Sequence, residues 1–255
     1  MEPTTVILMS GGLDSFISYY FAKQRYGKEM NLRQIYFDIN SPYRKKELKA
    51  IKGFNFDVEI KKVELMDGTH IVTPEQQVIP GRNFIFAALA GYYGDFVWLS
   101  ALKGEIHEFL PDKSPTFFQD FNKIASYVYG PKPAVKLQFP FENMSKTDIV
   151  SWALTYGISE KELSNTVTCY HPTHKRCGEC STCVKRAVAM RLNGIWENHK
   201  KEPFKSKSAQ ELFRKYQQVQ TSGDFSHYSS ERIEETYFAT RLFKEKTGED
   251  VWPVN

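Results

Sequence analysis

The stretch TTVILMSGGLDS, residues 4–15, decides how the rest of the chain is read. Thr4, Thr5, Val6, Ile7, Leu8 and Met9 form a short β-branched and apolar run, the pattern of a buried strand. Ser10, Gly11, Gly12, Leu13, Asp14 and Ser15 follow at once, and residues 16–26 are amphipathic. That order is strand, glycine-rich turn, helix. In an open α/β sheet, ligands bind beyond the carboxyl ends of the strands. Glycines there can take positive φ and let backbone N–H groups approach an anion, and the following helix points its positive end at the same place. Ser10 and Ser15 add hydroxyls, and Asp14 suits the orientation of Mg²⁺ or of the loop itself. The loop is not a Walker loop, because no Gly-Lys-Ser/Thr ending is present. It lacks the third glycine of the dinucleotide fingerprint as well.

Outward from this unit the alternation continues. Strands are expected at residues 33–39, 56–65, 95–102 and 135–139. Helices are expected at 42–53, 83–93, 115–129 and from Ser145-Lys146-Thr147-Asp148 to about Tyr156. Strands alternating with helices predict an α/β fold with a doubly wound parallel sheet. After about Asn193 the chain turns polar, with many Lys, Glu and Ser among its aromatics, and reads as an appended helical segment. The expected division is 1–160 for the α/β domain, 161–195 for a metal-binding segment and 196–255 for a helical extension.

All four cysteines lie between Cys169 and Cys183. Cys169, Cys177, Cys180 and Cys183 could close a tetrahedral shell of thiolates around one Zn²⁺ per chain, and Gly178 permits the tight Cys-x-x-Cys turn. An iron–sulfur cluster and a redox dithiol are the rival readings. His171 and His174 read as loop residues. A secreted disulfide scaffold would scatter its cysteines, so the cluster suits an intracellular, cytoplasmic chain. The segment 1–9 is too short for a signal peptide, and no apolar run approaches the roughly 18 residues of a membrane span. The net charge of +4 is mild, and Lys45, Lys46 and Lys49 read as a solvated helix face. Nucleic acid and membrane are therefore not expected as partners. A homodimer is compatible with the sequence, which does not fix the oligomeric state.

The loop at 10–15 closely resembles the pyrophosphate-binding loop (SGGxDS) of the N-type ATP pyrophosphatases, which cleave ATP between its α and β phosphates. Four further features follow in order: Ile79-Pro-Gly-Arg-Asn83, Ser145-Lys146, the cysteine cluster and Arg186. Together they resemble the 7-cyano-7-deazaguanine synthase family over roughly residues 4–193. The resemblance implies an adenine nucleotide alpha hydrolase-like fold, bound Zn²⁺, and a carbon–nitrogen ligase of queuosine and archaeosine biosynthesis. Its substrates would be 7-carboxy-7-deazaguanine, ammonia and ATP with Mg²⁺. It further implies that Ser10, Gly11, Gly12, Leu13, Asp14 and Ser15 hold ATP, and that Asp14, Arg82 and Lys146 serve catalysis, with Lys146 on the leaving pyrophosphate.

Arg82, Asn83, Asp112, Phe117 and Tyr43 are the expected substrate contacts. Phe37 and Phe118 are further aromatics for a flat ring, although each of these aromatics taken singly reads first as core, and Asp112 could accept from the base's N–H groups. The chain departs from the family in two places. It has Asn40-Ser-Pro-Tyr-Arg44 where Tyr-Gly-Gln-Arg is usual. It has Asp112-Lys-Ser-Pro-Thr-Phe117 where Asp-Cys-Arg precedes a Phe, so Ser114 replaces the Arg. A branch acting on a related deazaguanine, or coupling it to another amine, is the nearest alternative. A tRNA thiolase would use the same loop, but it usually needs a reactive cysteine near ATP, and none exists outside the cluster. A non-catalytic zinc module would leave the phosphate loop unexplained; failure to consume ATP with any acid would favour it.

Overall fold

The computed structural model describes residues 2–27, 29–64, 79, 81–105, 112–130, 135–169, 171 and 173–253. The chain divides into two compact units, Met1–Asn143 and Met144–Asn255. The breaks expected at 160 and 195 both fall within the second unit.

The first unit is a parallel sheet of β1 (Thr4–Leu8), β2 (Asn31–Asp38), β3 (Glu59–Lys62), β4 (Phe96–Trp98) and β5 (Lys136–Gln138), in the order β3-β2-β1-β4-β5. Its helices are α1 (Leu13–Tyr26), α2 (Arg44–Ile51), α3 (Arg82–Ala90) and α4 (Pro115–Val128). Period-two patterning sends alternate strand residues to opposite faces. Val6, Leu8, Ile35, Phe37 and Val97 pack with Ala87 and Ala90 of α3 and Phe121 and Ala125 of α4. Ile7, Met9, Tyr36 and Trp98 pack with Ala22 of α1 and Ile51 of α2. Helices thus cover both faces, and each fully buried large apolar side chain contributes about 1.5–3 kcal/mol. Asn122 of α4 clamps strand β5: its Oδ1 accepts from Leu137 N at 2.7 Å and its Nδ2 donates to Leu137 O at 3.2 Å.

Strands β1, β3, β4 and β5 are shorter than the sequence suggested, whereas β2 starts two residues earlier and ends one residue earlier than expected. Leu65, the expected end of the third strand, and Pro80 lie outside the described residues. Helix α2 begins at Arg44 rather than Pro42. Asn40 takes a left-handed φ of 57°, and Arg44 Nε reaches both Asp38 oxygens, at 2.7 and 2.6 Å, which ties the turn closed ahead of the helix.

The second unit contains α5 (Lys146–Thr155), α6 (Glu160–Asn165), α7 (Ser181–Leu192), a 3₁₀ turn (Pro203–Lys205), α8 (Lys207–Ser222) and α9 (Ser230–Thr247). The extension is not a loose appendage. Val184, Ala187 and Val188 of α7 share one core with Phe204, Ala209 and Phe213, and with Ala239, Phe243 and Val251. Arg186 and Glu197 are buried together. Glu197 Oε2 accepts from Arg186 Nε at 2.7 Å, and its Oε1 accepts from Arg176 at 2.7 Å. Arg186 also donates to Thr166, Thr168 and the carbonyl of Leu163. Arg186 is therefore the hub on which the segment after α6 is folded. Among the described residues no helix is long and apolar enough to cross a membrane.

Candidate functional site

Strand β1 is where the sheet changes direction. From it the chain builds outward through β2 and β3, then returns to add β4 and β5 on the other side. Such a switch point leaves a crevice at the carboxyl ends of the strands. The loop at 10–15 occupies it. Ser10 N donates to Ser15 Oγ at 3.2 Å, Gly12 N donates to Ser10 Oγ at 3.3 Å, and Ser15 Oγ donates to Gly12 O at 3.2 Å. The two hydroxyls hold the loop's shape. Gly12 is the N-cap of α1 with φ −80° and ψ 165°. It has no side chain to cap the helix, so the first-turn amides are left to an incoming anion. Leu13 is buried beneath the loop, and Asp14 lies in the first turn of α1.

Gly11 takes φ 70°, and a Cβ there would meet the backbone of Glu47. Helix α2 is therefore the support of the loop. Glu47 Oε2 accepts from the Tyr36 hydroxyl at 2.8 Å. Burial pushes the Glu47 carboxyl up, while the Tyr36 hydrogen bond and the charges of Arg82 and Lys46 pull the other way. Tyr36 is pushed up as well, by burial and then by Glu47. Neither residue stood out in the sequence. Glu47 lay inside a lysine-rich helix that read as solvent-facing, although it follows Tyr43 by four residues and so shares its face.

Arg82 is the first residue of α3, half-buried, in the field of Glu47. Asn83 is buried, and its Nδ2 donates to Asp112 Oδ2 at 2.8 Å. The structure thus joins two expected substrate contacts. Tyr43 is the N-cap of α2, with Lys46 Nζ 5.5 Å from its ring centroid. Phe37 is 3% exposed in the core, and Phe117 and Phe118 pack against that same core. Ser114 caps α4, accepting from Phe117 N at 3.0 Å, with Pro115 at the first helical position. Its neighbour Lys113 donates to Glu105 Oε2 at 2.8 Å. Sequence reasoning passed over Lys113, whose only signal was its place in the altered segment.

Lys146 belongs to the second unit, as the first residue of α5. Ser145 and Asp148 form a capping box there, and Ser145 Oγ donates to Glu235 Oε1 of α9 at 2.7 Å.

The four cysteines are thiols whose sulfurs all lie within 4.8 Å of one another. The pairs Cys177–Cys183 and Cys180–Cys169 are both 3.9 Å apart. Four sulfurs at the usual zinc distance define a tetrahedron with edges of about 3.8 Å. The set therefore fits a single tetrahedral ion, whereas cysteines that ligate separate irons of a cluster stand farther apart. Backbone N–H groups of Cys177 and His171 donate to Cys169 Sγ, and that of Glu179 to Cys177 Sγ, each at 3.3 Å. Such donors favour thiolates. The crowded thiols oppose one another's ionisation: Cys180 pushes Cys169 up while Cys183 pulls it the other way, and Cys169 and Cys180 push Cys183 up, so full ionisation of the set calls for a cation. The His171 and His174 rings stack at 4.3 Å, and His171 Nδ1 accepts from His174 N.

A family model described as "Queuosine biosynthesis protein QueC" matches residues 59–194, just over half of the chain. The 7-cyano-7-deazaguanine synthase 2 of Colwellia psychrerythraea is 30% identical over 213 residues, covering 74% of this chain and 94% of that protein. The 7-cyano-7-deazaguanine synthase of Psychromonas ingrahamii is 28% identical over 218 residues, covering 76% and 96%. A third relative, 7-cyano-7-deazaguanine synthase 2 of Sulfurisphaera tokodaii, is 28% identical over 217 residues, and the match spans 46% of its length. The chain thus spans nearly all of the first two relatives and about half of the third. The solved U34-tRNA thiolase NcsA from Methanococcus maripaludis, with its 4Fe–4S cluster, matches at a TM-score of 0.44 and 14% identity, covering 100% of this chain and 78% of that one. That likeness is too slight to carry fold or cluster across.

Proposed function

Because this chain belongs to the QueC family of queuosine biosynthesis proteins, we propose that it joins ammonia to 7-carboxy-7-deazaguanine and carries the product to 7-cyano-7-deazaguanine. ATP is consumed to AMP and pyrophosphate. The observation that supports this best is the SGGLDS loop at the switch point of the β3-β2-β1-β4-β5 sheet, with the Asn83–Asp112 pair in the same unit.

A carboxylate is a poor electrophile until it carries a leaving group. In the proposed reaction its oxygen attacks the α-phosphorus of ATP, and pyrophosphate leaves. Ammonia then adds to the acyl carbon, a proton is lost and AMP departs, which gives the amide. A second ATP takes the amide oxygen in the same way, and loss of AMP and of both protons on the nitrogen leaves the nitrile. The chain's part is to hold the two anions together and to neutralise pyrophosphate as it leaves. Ser10, Gly11, Gly12, Leu13, Asp14 and Ser15 are assigned to ATP and its Mg²⁺. Lys146 is assigned to pyrophosphate, and Arg82 to a phosphate or the substrate carboxylate. Asn83, Asp112, Tyr43 and Phe117 are assigned to the base. Cys169, Cys177, Cys180 and Cys183 would hold one Zn²⁺ in a closed shell, where it supplies folding free energy. A cytoplasmic, reducing setting suits those thiolates.

The test is incubation with ATP, Mg²⁺, ammonium and 7-carboxy-7-deazaguanine, followed by mass analysis. The nitrile and AMP are expected. AMP release with an unrelated carboxylate, and none with this acid, would overturn the substrate and leave the adenylation chemistry standing.

A further inference from the structure

The turn that opens α5 is held from outside its own helix at two points. Ser145 and Asp148 already complete a capping box: Ser145 Oγ accepts from Asp148 N at 3.2 Å, and Asp148 Oδ2 accepts from Ser145 N at 2.8 Å. The helix start needs nothing more. Yet the Ser145 hydroxyl donates onward to Glu235 Oε1 of α9 at 2.7 Å, and the carbonyl of Thr147 accepts from Asn193 Nδ2 at 3.0 Å, just beyond the end of α7. Lys146 lies between these two tethers.

Both tethers run to firm supports. The same Nδ2 of Asn193 donates to Ala189 O at 2.9 Å. Helix α9 is packed through Ala239 and Phe243 against Val184, Ala187 and Val188 of α7. Glu235 itself is half-buried. A carboxylate acceptor makes a shorter and stronger bond than a neutral one, so the link to Ser145 fixes a position as well as satisfying a hydroxyl. Glu235 lies beyond residues 59–194, which the family model matches, and belongs to the helical extension.

We infer that Glu235 is a positioning residue for Lys146: it holds the turn from which that side chain leaves, and it makes α9 a working part of the ligase. The inference rests on the ligase reading, in which Lys146 neutralises the departing pyrophosphate. That interaction strengthens as charge builds on the leaving group, so the placing of Lys146 counts in the transition state more than in the ground state. Glu235 acts through the Ser145 hydroxyl on the backbone that carries Lys146, without contact with nucleotide or acid.

The test uses the full metal-loaded chain as Glu235→Ala, Glu235→Gln and Thr236→Ala. A misplacement of about 1 Å can cost about 100-fold in rate. Glu235→Ala should lose about 10- to 100-fold in kcat for AMP release, with KM nearly unchanged. Glu235→Gln keeps an oxygen acceptor and should keep most of the rate. Thr236→Ala removes a buried hydroxyl at the next position of α9 and should lower the melting temperature without slowing turnover. The deciding arm is a double-mutant cycle with Lys146→Met, whose loss of about 100-fold leaves a residual rate to measure. In that background Glu235→Ala should cost no further rate. Full additivity of the two losses would overturn the inference. So would a loss of rate in Thr236→Ala equal to that in Glu235→Ala, which would make α9 a brace for the fold alone. Should Glu235→Ala not fold, Glu235→Asp, which draws the acceptor back by one methylene, takes its place in the cycle. If the wild-type chain releases no AMP with 7-carboxy-7-deazaguanine, the substrate reading has failed on its own. Glu235 is then tested without any acid, by calorimetric binding of magnesium pyrophosphate. Binding about tenfold weaker in Glu235→Ala and unchanged in Thr236→Ala supports the inference. Equal binding in all three chains, or none in the wild type, overturns it.

Discussion

A Cβ built on Gly11 would stand 2.8 Å from the carbonyl oxygen of Glu47, so the phosphate loop rests directly on the backbone of α2. The same Glu47 is tied through its carboxylate to Tyr36 on β2. Loop, helix and strand are thereby fixed to one another before any nucleotide arrives. The glycine serves the protein's own packing as much as any approach to a ligand.

Gly11→Ala should consequently damage the site in two ways. The φ of 70° disfavours any side chain, and the contact falls on backbone that cannot rotate away. Left-handed strain costs about 1–2 kcal/mol, and the clash adds to it. We expect a lower melting temperature and a large loss of ATP affinity by calorimetry. Gly12→Ala, at φ −80° and ψ 165°, meets no such backbone penalty. Equal melting temperatures for the two variants would show that the loop does not lean on α2.

Gly178 presents the same problem in sharper form. A Cβ there would lie 1.8 Å from Lys201 O, at φ 80°. The cysteine turn is stitched to that segment by Lys200 N donating to Arg176 O at 3.0 Å and Lys201 N to Cys177 O at 3.1 Å. Gly178→Ala must part the two strands of chain, at a cost of about 3 kcal/mol or more. Metal content after gel filtration should fall in step with melting temperature. Cys177→Ser should do likewise, because closed zinc sites contribute folding free energy. A folded Cys177→Ser variant lacking only catalysis would make the site chemical instead.

The Glu197 carboxyl is held down at about 2, against an ordinary 4.5; burial opposes this, and Arg186 and Arg176 overcome it. A depressed carboxyl contributes stability that is complete above the unfolded value and is lost as pH falls. The window here runs from about 4.5 down through about 2. Glu197→Gln would leave two buried guanidinium groups without their counter-charge, a change worth about 3–5 kcal/mol at neutral pH. In urea unfolding, the gap between wild type and variant should narrow as pH drops through that window. A gap independent of pH would assign the cost to packing.

The parts of this molecule legible in its sequence are those written in neighbouring residues. The strand–loop–helix at 4–26, the alternation of strand and helix, and the cysteine spacing all fall within single local patterns. Glu47 and Lys113 were illegible because their surroundings come from elsewhere: Gly11 and Tyr36 for the one, Glu105 for the other. The shared core of α7, α8 and α9 was hidden for a related reason. Its apolar residues, such as Phe213 and Phe243, are single positions among charges and gather only when the helices pack. Phe37 illustrates the reverse hazard, an aromatic near a strand end that the core absorbs entirely.

The final prediction concerns which bond of ATP is broken. The loop lacks the Gly-Lys-Ser/Thr ending of a Walker motif, whose lysine serves transfer of the γ-phosphoryl group. It sets instead a bare helix terminus, capped by Gly12, at the crevice. Amides at that terminus can take the charge of pyrophosphate as it leaves, which favours attack at the α-phosphorus. AMP and pyrophosphate should therefore be the products, whatever the acid. Phosphorus NMR of a turnover mixture will separate them from ADP and inorganic phosphate, and the appearance of ADP would sink the assignment. Asp14→Ala should abolish this turnover while leaving the melting temperature near that of wild type, because Asp14 is assigned to the nucleotide and its Mg²⁺ rather than to the core. A variant that still turned over ATP at a near-normal rate would show that the nucleotide binds elsewhere.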